Sequence, residues 1–378
     1  MNRFILIMLL FLSGCSEGRF VSDGEPEHSD EDEICSSVEI KPGPPDRPVL
    51  PEIDGIPEYS GGYDNCKALP EIKNGMIELD RGCFKGCIVI PGELTVTGAG
   101  SGETVIFCDD PQKNGAIELM QGSKAVITDV TVSGVTRGMY VDPQSYLTVE
   151  KIAISNVVKG GINVCNGESF CKSRVSISNS EISHVTPDEN SGVSYGISMG
   201  PGVLTVKNSK LSGFNSFAVA LWGDVSNKAE TVIENSVISD VYGGKTAFEG
   251  TAVYSEGLSN VTVKRTEIEN AAVSFIYISS ETAGTSEIFI EDVSMNNIIA
   301  QDQDKEQGGL VLDGNIDAVI KRIEVSDSRG YGIFSKNAVI AGEDISISGV
   351  SSDSKGENGF GMALFDGRVG SGDVSYTN

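Results

Sequence analysis

Few side chains in this chain are equipped for covalent chemistry. It has only two histidines, His28 and His184. The first lies in an acidic run and the second stands where Asn or Gly stands in related segments, so no Ser-His-Asp or Cys-His set is supported. What remains is a group of aromatics and carboxylates: Tyr140, Asp142, Asn163, Trp222, Tyr254, Glu256, Asp313 and Phe334, with Asp224 just beyond Trp222. Rings paired with hydrogen-bonding acids hold sugar chains, and paired carboxylates can serve a glycosidase as acid and base. Seven of these form the candidate glycan-binding set: Tyr140, Asp142, Trp222, Tyr254, Glu256, Asp313 and Phe334. No catalytic residue is assigned.

These residues converge only if the chain repeats, and it does. An eleven-residue phrase reads AVITDVTVSGV at 125, LTVEKIAISNV at 147, VSISNSEISHV at 175 and LTVKNSKLSGF at 204. It continues as TVIENSVISDV at 231, VTVKRTEIENA at 261, IFIEDVSMNNI at 288 and AVIKRIEVSDS at 318. The third residue of each copy (Ile127, Val149, Ile177, Val206, Ile233, Val263, Ile290, Ile320) is apolar. So is the eighth (Val132, Ile154, Ile182, Leu211, Ile238, Ile268, Met295, Val325). That is period-2 alternation in two short strands, split by a polar pair. A third strand, often opening on Gly, follows a longer turn, as in Gly138–Val141, Gly161–Val164 and Gly196–Met199. Copies recur every 22 to 30 residues, the period of a solenoid coil. The tenth-position column, with Gly134, Asn156, Asp240, Asn270, Asn297 and Asp327, reads as a structural turn whose residues tolerate left-handed geometry. The basic pairs Lys264-Arg265 and Lys321-Arg322 read as solvated charge at the polar turn.

Residues 88–106, Ile-Val-Ile-Pro-Gly-Glu-Leu-Thr-Val-Thr-Gly-Ala-Gly-Ser-Gly-Glu-Thr-Val-Ile, resemble the opening coil of the pectin-lyase-like right-handed parallel β-helices. The resemblance implies an all-β, right-handed parallel β-helix of about ten coils with three strands per coil, over residues 61–378. It does not carry over an activity, because the fold hosts lyases, hydrolases, esterases and non-catalytic adhesins. A polygalacturonase-like site needs Gly-His-Gly, which is absent, and Asp109-Asp110 lies in the first coil. The Arg-containing motifs of pectate lyases are missing. Ala218–Leu221 looks similar to a pectin-esterase strand, but the Gln and paired Asp motifs are not there.

The amino terminus has its own reading. Residues 1–14 combine Arg3, the apolar run Phe4 to Leu12, and small residues, which makes an export signal. Leu12-Ser13-Gly14-Cys15 resembles the bacterial lipobox, which implies lipidation of Cys15 and anchoring to the outer membrane or cell surface. Residues 15–60 are acidic and then Pro-rich, an extended tether.

An exported chain keeps disulfides. Cys165 and Cys171, separated by Asn-Gly-Glu-Ser-Phe, are expected to pair. Cys66, Cys83, Cys87 and Cys108 allow three pairings, with a zinc site as the lesser alternative; Cys35 lies in the tether. The formal charge of −26 excludes nucleic acid as a partner. No metal site or cofactor is called for, and Ca²⁺ enters only as a bridge to an anionic polysaccharide. The partners expected are a membrane through the lipid, a polysaccharide or surface protein along the rod, and a second rod end to end. The leading expectation is glycan or surface-partner binding without catalysis, and the alternative is a polysaccharide lyase or glycoside hydrolase.

Overall fold

The computed structural model describes residues 63–377, apart from 135, 166–169, 188–191, 244–247, 282, 299–307, 353–358, 366–367 and 370–373. The expected signal segment, Cys15, Cys35 and the tether lie outside the described residues. Among the described residues there is no α-helix; one 3-10 turn, Tyr63–Asn65, precedes the strands. Every pairing between strands is parallel, and each strand pairs with its equivalents one coil before and one coil after. The chain therefore winds as a parallel β-helix with three sheets.

The first sheet carries the first half of the phrase, and its third-position residues lie in one register. Ile127 pairs with Val149, Val149 with Ile177, Ile177 with Val206, and so on to Ile290 with Ile320. All eight of these side chains are buried. The second sheet aligns Val132, Ile154, Ile182, Leu211, Ile238, Ile268, Met295 and Val325 in the same way. The third sheet contains eleven rungs, from Ile88–Ile90 to Phe360–Phe365, close to the ten expected. Its inner column runs Ile117, Met139, Ile162, Ile197, Val219, Val253, Ile276, Leu310 and Ile333. The core is these stacked apolar columns.

Three strands per coil holds for the early coils and changes later. From Ser259 the first two strands merge into single 13-residue strands, Ser259–Ala271 and Ser286–Ile298. Gly308–Ser326 and Tyr331–Ser348 then run through all three sheets. One left-handed residue turns each corner, where the pairing skips a residue and then resumes: Arg265 at φ 45° and Asp292 at φ 56° in the fifth position. The tenth position does the same with Asn156, His184, Asp240, Asn270, Asn297 and Asp327. Asn270 Nδ2 donates to Asp240 Oδ1 at 3.0 Å, and Asn297 Nδ2 to Asn270 Oδ1 at 2.7 Å. The amides thus stack down the rod as a side-chain ladder.

The sixth position holds a second ladder, of buried hydroxyls. Ser180 N donates to Ser209 Oγ and Ser209 N to Ser236 Oγ, each at 3.2 Å. Each of these hydroxyls donates back to its own chain, as Ser209 does to Lys207 O at 2.7 Å. Corner amides with no rung partner are satisfied this way.

The basic pairs are not free solvated charge. Arg322 Nε reaches Asp292 at 2.6 Å and its Nη2 reaches Glu291 at 2.7 Å. Lys321 meets Glu343 at 3.2 Å, Lys207 meets Glu234 at 2.9 Å, and Arg265 binds Glu234 and Asn235. Because coils stack at about 4.8 Å, alternating basic and acidic turns place opposite charges in contact on successive rungs.

Two disulfides staple the first coils: Cys66–Cys83 and Cys87–Cys108. The four cysteines are thus consumed in pairs, which removes the zinc alternative. Cys165 and Cys171 are bonded across their turn. Tyr63 stacks on Phe107 with ring centroids 3.7 Å apart, and its hydroxyl lies 3.3 Å from Ser133 Oγ on the following rung.

Candidate functional site on the outer face of the third sheet

Third-strand side chains that alternate with the core point outward in columns. One column runs Glu118, Tyr140, Asn163, Ser198, Ala220, Tyr254, Tyr277, Val311, Phe334 and Ala363. A second, at the strand ends, runs Trp222, Glu256, Ser279, Asp313, Lys336 and Phe365. A third, at the strand starts, includes Arg137, Gly160, Tyr195 and Phe217. The candidate residues do share this face. They do not form one exposed stripe.

The aromatic half is packed. Tyr254 is 7% exposed and Phe334 is 2% exposed. Phe217, Ala220, Tyr254, Tyr277, Val311, Tyr331, Phe334 and Ala363 make a second apolar cluster outside the helix proper. Phe248, from the turn that follows Val241, lies 4.9 Å from Tyr277 and 5.9 Å from Tyr254 between ring centroids. Tyr254 packs on Phe217, Phe248 and Tyr277, and Phe334 on Tyr331 and Phe365, because rings on adjacent rungs gain more from mutual contact than from water. Tyr254 OH donates to Glu256 Oε2 at 3.0 Å. Burial, and then the Glu256 charge, push the Tyr254 phenol far up, so it stays protonated. Asp313 is held by Lys336 at 3.3 Å. Trp222 is half-buried and Glu256 exposed.

The polar half lies toward the N-terminus, on three consecutive rungs, and it adds residues that sequence reading left out. Glu118 is 8% exposed and accepts from the Asn114 and Gly115 amides, which hold its carboxylate in place. Arg137 sits with its guanidinium carbon 5.8 Å from the centre of the Tyr140 ring. Its Nη1 donates to Asn114 O at 3.3 Å. Burial works against the charged form of Arg137, and Tyr140 opposes that effect; the group remains a cation at neutral pH. Asn163 is 3% exposed, and Gly160 makes room for it, since a Cβ there would come within 1.8 Å of Asn163 Oδ1.

Arg137 Nε and Asn163 Oδ1 are both buried, and neither has a hydrogen-bond partner among the described residues. An orphaned buried donor and acceptor on neighbouring rungs are costly unless something polar completes them. Asp142 is half-buried at the end of the Tyr140 strand, and its carbonyl accepts from Ser173 Oγ at 3.0 Å. Tyr140 and Asp142 are thus brought together, whereas Trp222, Tyr254, Glu256, Asp313 and Phe334 lie three or more rungs away. Arg137 was findable from sequence, because it immediately precedes the glycine that opens its strand. Phe248 and Glu249 belong to a turn with no repeat and gave no signal.

Among the described residues, no group of three or more His, Cys, Asp or Glu side chains is placed to hold a metal ion. The geometry offers a carboxylate, a cation, a phenol and an amide on one face, which suits hydrogen bonding and proton transfer.

The chain matches the family model for a right-handed β-helix region over residues 99–238. No curated protein matches it. Among solved structures, it is similar to an alginate lyase from Paenibacillus sp. str. FPU-7, with 13% identity, a TM-score of 0.48, and 80% of this chain and 93% of that one covered. It is similar to the family 28 exopolygalacturonase of Yersinia enterocolitica at 10% identity and a TM-score of 0.45, over 81% of this chain and 74% of that one. The mannuronan C-5 epimerase AlgE6 A-module of Azotobacter vinelandii gives 12% identity and a TM-score of 0.43, over 80% and 91%. The family model and the three-sheet parallel ladder agree on one architecture: this is a right-handed parallel β-helix.

Proposed function

We propose that the rod engages a polysaccharide across the outer face of the third sheet, at the Glu118, Arg137, Tyr140 and Asn163 cluster. The carrying observation is the orphaned pair, Arg137 Nε and Asn163 Oδ1, beside a half-exposed phenol. Sugar hydroxyls both donate and accept, so one ring can complete both atoms while stacking on Tyr140. The aromatic stripe first expected to hold the chain does not carry this reading, because most of it is packed away. A full-length glycan array tests it: retention that is lost on Tyr140→Ala and kept on Asp313→Asn supports this site.

Chain cleavage is the second reading, and one observation favours it. Glu118 is a buried carboxylate one rung from Tyr140 and Arg137. A carboxylate, a phenol and a cation so close can exchange a proton with a bound sugar and stabilise the charge that develops. Incubation with a polysaccharide panel, with and without Ca²⁺, followed at 235 nm and by reducing ends, separates the two. Product that disappears with Glu118→Gln makes the protein an enzyme; retention without product makes it a binder.

On the strength of the lipobox resemblance, we propose further that Cys15 is lipidated and that residues 15–60 tether the rod to the outer membrane or cell surface. Cys15→Ser should move the protein from the membrane fraction to the soluble one.

A further inference from the structure

We infer that the corner formed by Tyr195, Trp222 and Glu256 binds an organic cation, either a protonated amine or a quaternary ammonium group. Tyr195 and Trp222 are half-buried, with ring centroids 5.6 Å apart and planes at 80°. Two rings at a right angle leave a corner lined by one face and one edge. Their positions are fixed from below: Phe217 stacks on Tyr195 at 5.7 Å, and Tyr254 packs on Phe217 at 4.9 Å. Little side-chain freedom is left to lose on binding.

Two carboxylates lie by the corner, and the lysine nearest in the fold, Lys159, meets Tyr195 through its backbone carbonyl at 3.0 Å. Glu256 is the rung partner of Trp222, is exposed, and is oriented by the Tyr254 hydroxyl at 3.0 Å. Glu249, 1% exposed, is close enough to raise the Tyr195 phenol, after burial itself. In the Trp222 column the first cation is Lys336, four rungs along and already paired with Asp313. An anion would meet two carboxylates on a chain of charge −26. A cation meets ring faces whose quadrupole attracts it and a carboxylate that can bind it directly.

Trp222 is the sole tryptophan of the chain, so its fluorescence reports on this corner. The full chain would be titrated at constant ionic strength with tetramethylammonium, phosphocholine, a glucosamine hexamer, and the fully N-acetylated hexamer as the control without charge. The inference expects saturable changes with the ammonium probes, binding of the N-acetylated hexamer at least tenfold weaker than that of the amine, and about tenfold weakening by Glu256→Gln. Glu256 is exposed, so that variant should fold. Preference for the hexamer over phosphocholine identifies an amino sugar as the source, and the reverse identifies a headgroup. Equal response to both hexamers, no saturable response to any ammonium probe, or indifference to Glu256→Gln overturns the inference. The corner starts at Tyr195, one rung beyond Asn163 and two beyond Tyr140, and reaches Trp222 on the next rung, but it shares no residue with the proposed polysaccharide site: ammonium binding without glycan retention would leave it intact, and glycan retention without ammonium binding would remove it alone.

Discussion

Asn163 is where stability and binding pull apart. Its buried oxygen has no partner among the described residues, so an apolar replacement of similar volume removes a desolvation cost. Asn163→Val should raise the unfolding free energy by about 1 kcal/mol, measured by urea denaturation, and abolish glycan retention. A purely structural Asn163 would show the opposite, a loss of stability. Gly161 tests the core from the other side. A Cβ there would meet Ile182 Cγ2 at 2.5 Å and Gly196 O at 2.6 Å. Gly161→Ala should therefore cost about 1–3 kcal/mol by overpacking, read from the same melts. The small residue that opens many third strands was legible in the sequence, but its cause was not: it clears space for a second-sheet side chain of the next coil, Ile154 at Gly138, Ile182 at Gly161 and Phe214 at Gly196.

At the scale of elements, the corners hold the rungs in register. Ser209→Ala removes the hydroxyl that accepts from Ser180 N and donates to Lys207 O. Leaving that buried amide unpaired should cost about 1–3 kcal/mol, and amide exchange should quicken at Ser180 before distant coils. The charge ladder adds a pH dependence. Hydrogen bonding and charge from Lys207 hold Glu234 below its ordinary 4.5, and Arg322 holds Asp292 below 3.8. Their stabilisation is complete above those ordinary values and is lost as pH falls through the lower folded values. The melting temperature should stay level from pH 7 to about 5 and fall below about pH 4. Arg322→Ala should flatten part of that fall. Apolar third and eighth positions announced two strands because alternation is a local property. The ion pairs were not legible, because the partners sit about 30 residues apart and meet only through stacking. The burial of Tyr254 was hidden for a related reason: Phe248, which packs on it, comes from a turn outside the repeat.

At the scale of the whole molecule, each strand pairs only with the coils next to it, so stability is distributed along the rod. The staples Cys66–Cys83 and Cys87–Cys108 tie down the first coils only. Their reduction should speed hydrogen exchange around Cys83–Cys108 and leave Ile290–Val325 protected. The outer face then divides into a polar patch near the N-terminal end, an aromatic second core, and a carboxylate–aromatic corner between them. That division sets what the rod can hold and where. The most direct test of the polysaccharide reading is an equilibrium titration of the full chain with a retained array glycan, comparing wild type with Arg137→Ala. Arg137→Ala should lose at least tenfold in affinity while still unfolding in a cooperative transition, since it gives up only the contacts to Tyr140 and Asn114 O. Equal affinity for the two proteins would contradict that reading.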